Sequence, residues 1–464
     1  MTIPVYPLEP GAEEMRALTD RVLELLVAFV GGLEKRPASA NHLAPELLAE
    51  VLRPPPETPR EEIGALLART RRAALVSYET AGPSYLAYIP GGGVFTAALA
   101  EFLAAGLNRY TGRATPAPAL VALEQSVLRW LCDLFGFPAG AQGLLTTGGS
   151  LSNLVALAAA RARHAERRSD RATVYVGEHA HGSLLKAART AGLAREHVRV
   201  VRSTPALRLD AEHLRERIAA DRRAGLVPVC VCAAAGTTNT GTVDALAEVA
   251  DEAREAELWL HVDAAYGGFF QLTRRGRSRL AGLERADSLT LDPHKSLFLP
   301  FGTGALVVRS ADALRYAFSE EADYLQDLGD CGPLPDFDSL SPELTREFRG
   351  LRLWLPLHLH GIDAFRRQLD EKLDLAQLAY RTLAADARLE VPWPPDLSVV
   401  VFRLAGGDEA AQREFLRRIN ASQRVLLSST RLAGETYLRL AVLSLRTHEA
   451  RVREALEIIG RVAS

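Results

Sequence analysis

The stretch LWLHVDAAYGG, residues 258–268, is an apolar run that ends in a carboxylate followed by small residues. Its first five residues have the length and apolar character of a buried strand. A second run of this kind, residues 288–291, is followed directly by DPHK at residues 292–295. Each run therefore places a charged side chain just beyond an expected strand, Asp263 in the first case and Lys295 in the second.

Further strand-like runs around these two alternate with helical stretches rich in Ala, Leu and Arg. The strand candidates are residues 173–176, 198–201, 226–232, 258–262, 288–291 and 305–308, and the helix candidates include residues 151–166, 210–223 and 244–257. Such alternation predicts a mostly parallel sheet with helices on both faces, the architecture of the α/β class. Site residues gather at the carboxyl ends of such strands, so we expect a site there.

The N-terminal part of the chain has helical patterns but too few apolar residues for a core of its own. Apolar residues recur at three- and four-residue steps from Met15 to Phe29. A proline-rich break at residues 53–59 precedes a second helical stretch at residues 60–76. We expect residues 1–80 to form a helical arm that packs on the main body or on a second subunit.

The C-terminal part of the chain predicts a smaller α+β domain. A long helical region covers residues 352–383, strand-like runs follow at residues 397–404 and 437–444, and a closing helix has its apolar residues from Val452 onward on one face. The expected domains are the arm at residues 1–80, a large domain at residues 81–355 and a small domain at residues 356–464.

Composition and charge narrow the possible functions. The 464 residues are 48% hydrophobic and 24% charged, as in ordinary globular proteins, and the net charge of -2 gives no electrostatic reason to propose nucleic acid as a partner. The apolar stretch at residues 25–33 is far short of the ~20 residues that a membrane helix needs, and no signal peptide is apparent. Only four cysteines occur, which favours a reducing compartment and predicts a cytoplasmic protein. We expect Cys230 and Cys232 to share one strand face as small buried hydrophobes rather than as metal ligands.

Asp263 and Lys295 together form the strongest chemical signal in the sequence. A lysine amine can condense with the aldehyde of pyridoxal phosphate, and a carboxylate can keep the pyridine nitrogen of that cofactor protonated, so that the ring withdraws electrons. The alternative is a solvated ion pair at the surface, the usual state of Asp and Lys. Both residues follow expected strands, and small residues follow Asp263, which favours the cofactor site.

The stretch TTGGSLSN at residues 146–153 precedes an alanine-rich helix and is a candidate phosphate cradle. Free backbone N–H groups and the positive end of the helix would face an anion there. An ordinary helix cap is the alternative. The stretch lacks the Gly-Lys-Ser/Thr ending of a P-loop, and Ser152 stands where a nucleophile elbow needs its second glycine.

Two further polar stretches follow expected strands. EHAHGS at residues 178–183 contains His179 and His181, which could ligate a metal, lie buried, or stack on a flat heteroaromatic ring, and the neighbouring motifs favour stacking. GTTNTG at residues 236–241 is either a turn or a source of hydroxyl groups at the same edge of the sheet.

These motifs together resemble the group II pyridoxal-phosphate decarboxylases of fold type I, which include aromatic-L-amino-acid, histidine and glutamate decarboxylases. The similarity extends from YLAYIP at residues 85–90 into the C-terminal domain, and the spacings from Thr238 to Asp263 and from Asp263 to Lys295 match the aromatic-amino-acid branch without a gap. The resemblance implies a seven-stranded, mostly parallel sheet, pyridoxal 5'-phosphate as cofactor, no metal, an amino acid as substrate, and a homodimer.

The resemblance also implies a role for each motif residue. Lys295 is the lysine that forms the Schiff base, and Asp263 is the partner of the pyridinium nitrogen. Ala265 and His181 lie against the two faces of the ring. The remaining cofactor-binding residues that it implies are Gly149 and Ser150 in the phosphate cradle, Thr238, Asp292 and His294.

Residues 319–341 are rich in Asp, Gly and Pro and show little periodicity, which suggests a mobile lid. The family carries a catalytic tyrosine in this loop, and Tyr324 matches it. By resemblance, Tyr324 protonates the α-carbon after CO2 leaves. An ordinary loop tyrosine is the alternative.

The chain departs from the family at several positions. Asp292 stands where the family commonly has asparagine, and a carboxylate beside a phosphate dianion would be repelled unless a donor intervenes. Ser296 replaces a larger residue, and Gly112 and Ala114 stand where the aromatic branch has bulky aromatics. We therefore expect a pocket of different shape.

The expected reaction is decarboxylation of an L-amino acid, an aromatic one by resemblance, to its amine and CO2. Acidic and diamino acids are alternative substrates. An aldehyde synthase or another carbon–carbon lyase is an alternative activity. In the family that this chain resembles, replacing the loop tyrosine diverts the reaction toward aldehyde, so Tyr324 favours the amine. The remote alternative is a non-catalytic binding protein, and intact Lys295 and Asp263 argue against it.

Overall fold

The computed structural model describes residues 8–42, 44–163, 169–320 and 331–464. Its helices are α1 Ala12–Gly31, α2 Pro45–Val51, α3 Ile63–Leu75, α4 Phe95–Leu107, α5 Pro118–Leu134, α6 Gly149–Arg163, α7 Gly182–Thr190, α8 Ala211–Arg223, α9 Leu246–Glu255, α10 Arg274–Arg279, α11 Pro293–Ser296, α12 Ala311–Phe318, α13 Gly350–His360, α14 Ile362–Ala384, α15 Glu409–Ala421 and α16 Glu449–Val462. Its strands are β1 Gln142–Thr146, β2 Ala172–Gly177, β3 Val198–Val201, β4 Val227–Ala234, β5 Trp259–Asp263, β6 Ser288–Leu291, β7 Gly304–Val308, β8 Leu389–Glu390, β9 Val399–Leu404, β10 Ser428–Leu432 and β11 Glu435–Ala441.

The larger sheet has seven strands in the order β1-β7-β6-β5-β4-β2-β3. Strands β2 to β6 run parallel to one another, and β7 pairs antiparallel with both β1 and β6. The mostly parallel α/β sheet is therefore confirmed, together with all six predicted strands. The remaining strand, β1, is not among the predicted ones because its sequence QGLLT begins with a polar residue and a glycine, which weaken the strand signal.

Helix α6 crosses one face of this sheet and contacts β4, β5, β6 and β7. Small buried residues such as Ala156, Ala159 and Ala160 let its backbone approach the strands closely. The helix begins at Gly149, shortly after the carboxyl end of β1. The helix predicted over residues 151–166 is confirmed as far as Arg163, and the next five residues lie outside the described part of the chain.

The predicted burial of the two cysteines on β4 is confirmed. Cys230 and Cys232 are 0% and 1% exposed, and their Sγ atoms lie 3.9 Å apart. Both belong to the hydrophobic core of the larger sheet. Burial raises the pKa of the Cys230 thiol well above its usual value, so this sulfur is held in its neutral form.

The second sheet is antiparallel, with the order β10-β11-β9-β8, and α14, α15 and α16 pack on it around a separate hydrophobic core. The predicted C-terminal α+β region is therefore confirmed. The helical region predicted at residues 352–383 is two helices, because Gly361 turns the chain with φ of +71° between α13 and α14. Strands β8 and β10 are not among the predicted ones, and the predicted domain boundaries stay predictions.

Helix α1 packs against α3 and carries no buried residue. Its exposed apolar side chains are Met15, Leu18, Val22, Leu23, Leu26 and Val27, and α4 exposes Leu99, Phe102, Leu103 and Leu107. Apolar faces of this extent commonly mark a surface that another protein surface covers. In the described part of the chain, no helix is both long and apolar enough to cross a membrane.

Candidate active site

The carboxyl ends of β1, β2, β4, β5 and β6 meet at one edge of the larger sheet, and the loops that follow them enclose a cavity of about 470 Å³. Its lining includes every cofactor-binding residue predicted from the sequence: Gly149, Ser150, His181, Thr238, Asp263, Ala265, Asp292, His294 and Lys295. Tyr324 lies outside the described residues, so its role stays a prediction. The fold thus brings motifs from five separate segments to one place.

Asp263 is the last residue of β5 and is held by two hydrogen-bond donors. Its Oδ1 accepts a hydrogen bond from the backbone N–H of Ala265 at 3.1 Å. Its Oδ2 accepts one from Nδ2 of Asn153 at 3.2 Å. Both donors stabilise the ionised carboxylate, which is the form that can hold a proton on a pyridine nitrogen.

Asn153 on α6 is 1% exposed and uses all four hydrogen-bonding positions of its amide. Besides Asp263, its Nδ2 donates to Oγ of Ser183 at 2.9 Å. Its Oδ1 accepts from Oγ1 of Thr290 at 2.6 Å and from Nε2 of His261 at 2.9 Å. Because an amide oxygen only accepts, His261 carries its proton on Nε2.

His261 is fully buried in β5 and continues this network away from the cavity. Its Nδ1 accepts from Oγ of Ser288 at 2.8 Å, and that oxygen accepts from Nε1 of Trp259 at 2.8 Å. Burial disfavours the imidazolium ion and lowers the pKa of His261 to about 4, so the ring is neutral near pH 7. A directed chain of hydrogen bonds therefore runs from Trp259 to the carboxylate of Asp263.

His181 caps the N-terminus of α7. Its Nδ1 accepts hydrogen bonds from the backbone N–H and from Oγ of Ser183, at 3.2 and 2.6 Å. The backbone N–H can only donate, so Nδ1 is unprotonated and Nε2 carries the proton. The ring is exposed on the cavity wall, where it can stack on a flat ligand. His179 lines a separate cavity of about 10 Å³, and burial lowers its pKa.

Lys295 lies in α11, the short helix that follows β6. Its Nζ is 2.8 Å from Oδ2 of Asp292, and its side chain is 25% exposed. Its neighbour Ser296 is buried and donates from Oγ to the carbonyl oxygen of Tyr266 at 2.7 Å. The small residue at position 296 thus joins α11 to the segment that follows Asp263, and it is not among the described residues that line the cavity.

The turn before α6 has the shape of an anion cradle. The first N–H groups of a helix have no partner within it. A Cβ atom at Gly149 would lie 3.1 Å from Oδ2 of Asp292, 3.2 Å from Cγ2 of Thr290 and 3.3 Å from Cβ of Ala265, so a side chain would crowd the cradle. Cradle, lysine and anchored carboxylate line one cavity, and this arrangement fits pyridoxal phosphate.

Tyr88 and Ile89 are also among the residues that line the cavity. The next loop packs backbone to backbone on the lysine segment, since a Cβ atom at Gly91 would lie 2.1 Å from the carbonyl oxygen of His294. Arg446 from the small sheet region donates to the carbonyl oxygen of Gly92, which holds this loop in place.

Arg439 on β11 is a functional candidate that the sequence reasoning missed. It is 4% exposed and donates to the carbonyl oxygens of Asn239 and Thr238, both at 2.7 Å. It also donates to the carbonyl oxygen of Tyr88 at 3.4 Å and to Oγ of Ser428 at 2.9 Å. Burial lowers the pKa of Arg439 to about 10. The guanidinium ties two cavity loops to the small sheet, and an arginine inside an apolar strand-like run was the available signal.

Gly112 and Ala114 are not among the described residues that line the cavity of this chain. A Cβ atom at Gly112 would lie 2.6 Å from the carbonyl oxygen of Leu344, and Ala114 is 1% exposed. Between them, Arg113 pairs with Asp338 at 2.7 Å. Within one chain these small residues pack tightly against their neighbours, and the expected difference in pocket shape stays a prediction.

Residues 52–405 match the family model described as the pyridoxal-dependent decarboxylase conserved domain. The chain is 30% identical to an aromatic-L-amino-acid decarboxylase of Bacillus atrophaeus, over 98% of this chain and 96% of that protein. It is 32% identical to a phenylacetaldehyde synthase of Arabidopsis thaliana, over 82% of each protein. A crystal structure of Oryza sativa TDC with PLP and tryptamine matches with a TM-score of 0.93 and 26% identity, covering 99% of each chain. The chain therefore belongs to the pyridoxal-dependent decarboxylase family.

Family and fold together define a pyridoxal-phosphate-dependent amino-acid decarboxylase with the fold type I architecture, as the sequence predicted. When bound, the cofactor supplies an aldehyde that reacts with amines and a ring that takes up electrons from the α-carbon of an amino acid.

Proposed function

We propose that this enzyme converts an aromatic L-amino acid to its amine and CO2, with Lys295 as the lysine that holds the cofactor. The observation that carries the proposal is the convergence of the Lys295 amine, the anchored carboxylate of Asp263 and the imidazole of His181 on one cavity. A solvated ion pair would not need a carboxylate fixed by two donors.

The charge of the cavity supports a substrate with an uncharged side chain. Among the described lining residues, Lys295 is the only lysine or arginine, and it pairs with Asp292. An acidic side chain would therefore find no free cation on this wall. Tyr88 and Ile89 offer apolar surface on the cavity wall. The similarity to an aromatic-L-amino-acid decarboxylase supports the same substrate class.

Each side chain has a distinct proposed task. Asp263, oriented by its two hydrogen-bond donors, would hold a proton at the ring nitrogen. The cofactor ring would then supply the acceptor for the electrons of the bond between the α-carbon and the carboxylate. His181 and Ala265 hold the ring from its two faces. Lys295 would hold the cofactor through its amine and would be a free amine while substrate occupies that place. Tyr324, or Lys295 itself, then donates a proton to the α-carbon.

An aldehyde synthase is the second candidate, because a phenylacetaldehyde synthase is 32% identical to this chain. The tyrosine at position 324 favours the amine product. The two activities differ in what they consume and release, since aldehyde formation takes up O2 and releases ammonia and peroxide in addition to CO2.

We also propose that the enzyme is a homodimer. The exposed apolar faces of α1 and α4 give a second copy a surface to cover, and Phe102 alone is 63% exposed. Sedimentation should then give twice the 50.4 kDa mass of the chain. The cytoplasmic location stays a prediction.

The proposal is tested by screening the twenty amino acids, ornithine, diaminobutyrate and dihydroxyphenylalanine for CO2 release by the enzyme loaded with pyridoxal phosphate. We expect release from an aromatic substrate, with amine and no peroxide. Lys295→Ala should abolish it, whereas Lys186→Ala, at an exposed lysine on α7, should retain it. Release only from acidic or diamino acids would overturn the substrate class, and peroxide with aldehyde would favour the second candidate.

A further inference from the structure

Asp292 is an unusual carboxylate for an anion site. It is 2% exposed, and its Oδ1 is buried without a hydrogen-bond partner among the described residues. Its Oδ2 lies 2.8 Å from Nζ of Lys295 and 3.7 Å from Nε2 of His294. The ion pair with Lys295 thus compensates the charge of this carboxylate on one oxygen only.

The same carboxylate borders the first turn of α6. A Cβ atom at Gly149 would lie only 3.1 Å from Oδ2 of Asp292. Both residues line the cavity, so an anion held by the N–H groups of this turn lies beside the carboxylate. An ionised Asp292 carboxylate and an ionised phosphate can both only accept hydrogen bonds, so Oδ1 cannot form a hydrogen bond with a phosphate oxygen.

Two changes on cofactor binding both make a negative charge on Asp292 less favourable. Condensation of the Lys295 amine with the aldehyde would replace the C=O bond by a C=N bond and release water. The Lys295 nitrogen would then no longer be the free ammonium group that pairs with Asp292 in this structure. The phosphate adds negative charge at the turn. The other titratable side chains that line the cavity are Tyr88, His181, Asp263, Tyr266 and His294. Among these, Asp263 adds a further negative charge, and only His294 comes within 4 Å of the Asp292 carboxylate as a potential cation.

We propose that Asp292 takes up a proton as pyridoxal phosphate binds and then donates a hydrogen bond from its neutral carboxyl group to the phosphate. The neutral acid has nearly the shape of an asparagine side chain and, like an amide, offers both a donor and an acceptor. The inference rests on the proposed role of Lys295 and of the turn at Gly149. Cofactor retention in this enzyme then weakens as pH rises.

The test compares the dissociation constant of pyridoxal phosphate for the wild-type enzyme and Asp292→Asn between pH 7 and pH 9. The titration of the free cofactor is common to both proteins and cancels in the ratio. That of Lys295 is measured separately in each apoenzyme and subtracted, because the variant removes the carboxylate that pairs with Lys295. Uptake of one extra proton by the wild type makes its dissociation constant rise, relative to that of the variant, by about tenfold per pH unit. A ratio that stays constant with pH overturns the proposal.

Asp287→Asn is the matched control, because Asp287 precedes the same strand that Asp292 follows and lies away from the cavity. Its dissociation constant should follow that of the wild type at every pH. Phosphorus NMR of the loaded enzymes locates the proton. A phosphate dianion in both the wild type and Asp292→Asn supports a protonated Asp292, and a monoanion in the wild type alone overturns it.

Neither measurement requires turnover, so the two proposals can fail separately. If no amino acid releases CO2 but the ratio of dissociation constants rises with pH, the proposed function fails and the inference about Asp292 stands. If CO2 is released and the ratio is constant, only the inference about Asp292 fails.

Discussion

Replacing Asn153 with alanine should remove the side-chain hydrogen bond that orients the carboxylate of Asp263. The amide of Asn153 is the only side-chain donor to Asp263 among the described residues. The substitution leaves the backbone donor of Ala265 in place, so the carboxylate keeps one of the two hydrogen bonds that orient it and loses the other. We expect the variant to bind substrate and to turn it over slowly.

The size of the effect follows from the hydrogen bonds. A hydrogen bond to a charged group contributes about 1.5–3 kcal/mol, so its loss slows a step that needs the oriented carboxylate by roughly ten- to a hundredfold. The substitution also leaves the buried donors of His261 and Thr290 without a partner. At about 1–3 kcal/mol for each unsatisfied group, the apparent stability falls by roughly 2–6 kcal/mol unless water enters.

The assay measures kcat, KM and the dissociation constant of the cofactor, with urea unfolding on the same samples. Thr290→Val is the matched control, because it removes one hydrogen bond to Oδ1 of Asn153 and leaves the donor to Asp263 untouched. Its kcat should fall much less than that of Asn153→Ala. Equal kcat values for the two variants would refute the idea that Asn153 positions the carboxylate.

Three further predictions concern neighbouring features. The pKa of His261 is about 4 in the folded protein and 6.5 ordinarily, so the unfolded chain binds more protons between these two pH values. The free energy of unfolding therefore falls as pH drops through this window, by on the order of 3 kcal/mol in total. Urea unfolding at pH 7 and pH 5 should show a smaller loss of this free energy for His261→Gln than for the wild type. Gly91→Ala places a Cβ atom 2.1 Å from a carbonyl oxygen and should cost about 1–3 kcal/mol or more and loosen the cofactor. Gly460→Ala, inside α16 and with only an Arg388 nitrogen 4.0 Å from its Cβ atom, should be neutral or stabilising in the same melting and absorbance assays. Arg439→Met should raise KM and weaken cofactor binding, because the loops at Tyr88 and Thr238 lose the donor that they share. Arg439→Lys should recover part of both losses. An unchanged KM and an unchanged dissociation constant of the cofactor in Arg439→Met would contradict this role.

Much of the fold could be read from local patterns. All six predicted strands of the larger sheet are present, since buried strands leave continuous apolar runs that need no partner to be recognised. β1 was not predicted, because the polar Gln142 and the small Gly143 interrupt the apolar pattern of a strand whose five residues are all buried. The break at Gly361 divides a helical pattern that the sequence presents as continuous.

The positions of Asp263 and Lys295 were predictable for a related reason. Each follows an apolar run, and neighbouring parallel strands bring such ends to one edge of a sheet. The sequence by itself therefore determined which side chains stand at strand ends and, from their chemistry, which cofactor they suit.

Only the tertiary structure decided what holds those side chains. His261 and Asn153 are 108 positions apart, and Arg439 is 201 positions from Thr238. A hydrogen bond requires its two atoms within about 3 Å, and local sequence carries no information on which distant residues meet that condition. Those distances are set by the close packing of α6 on the larger sheet and of the small sheet on the cavity loops. The sequence therefore determined the chemical groups of the site, and tertiary packing determined which residues hold them in position.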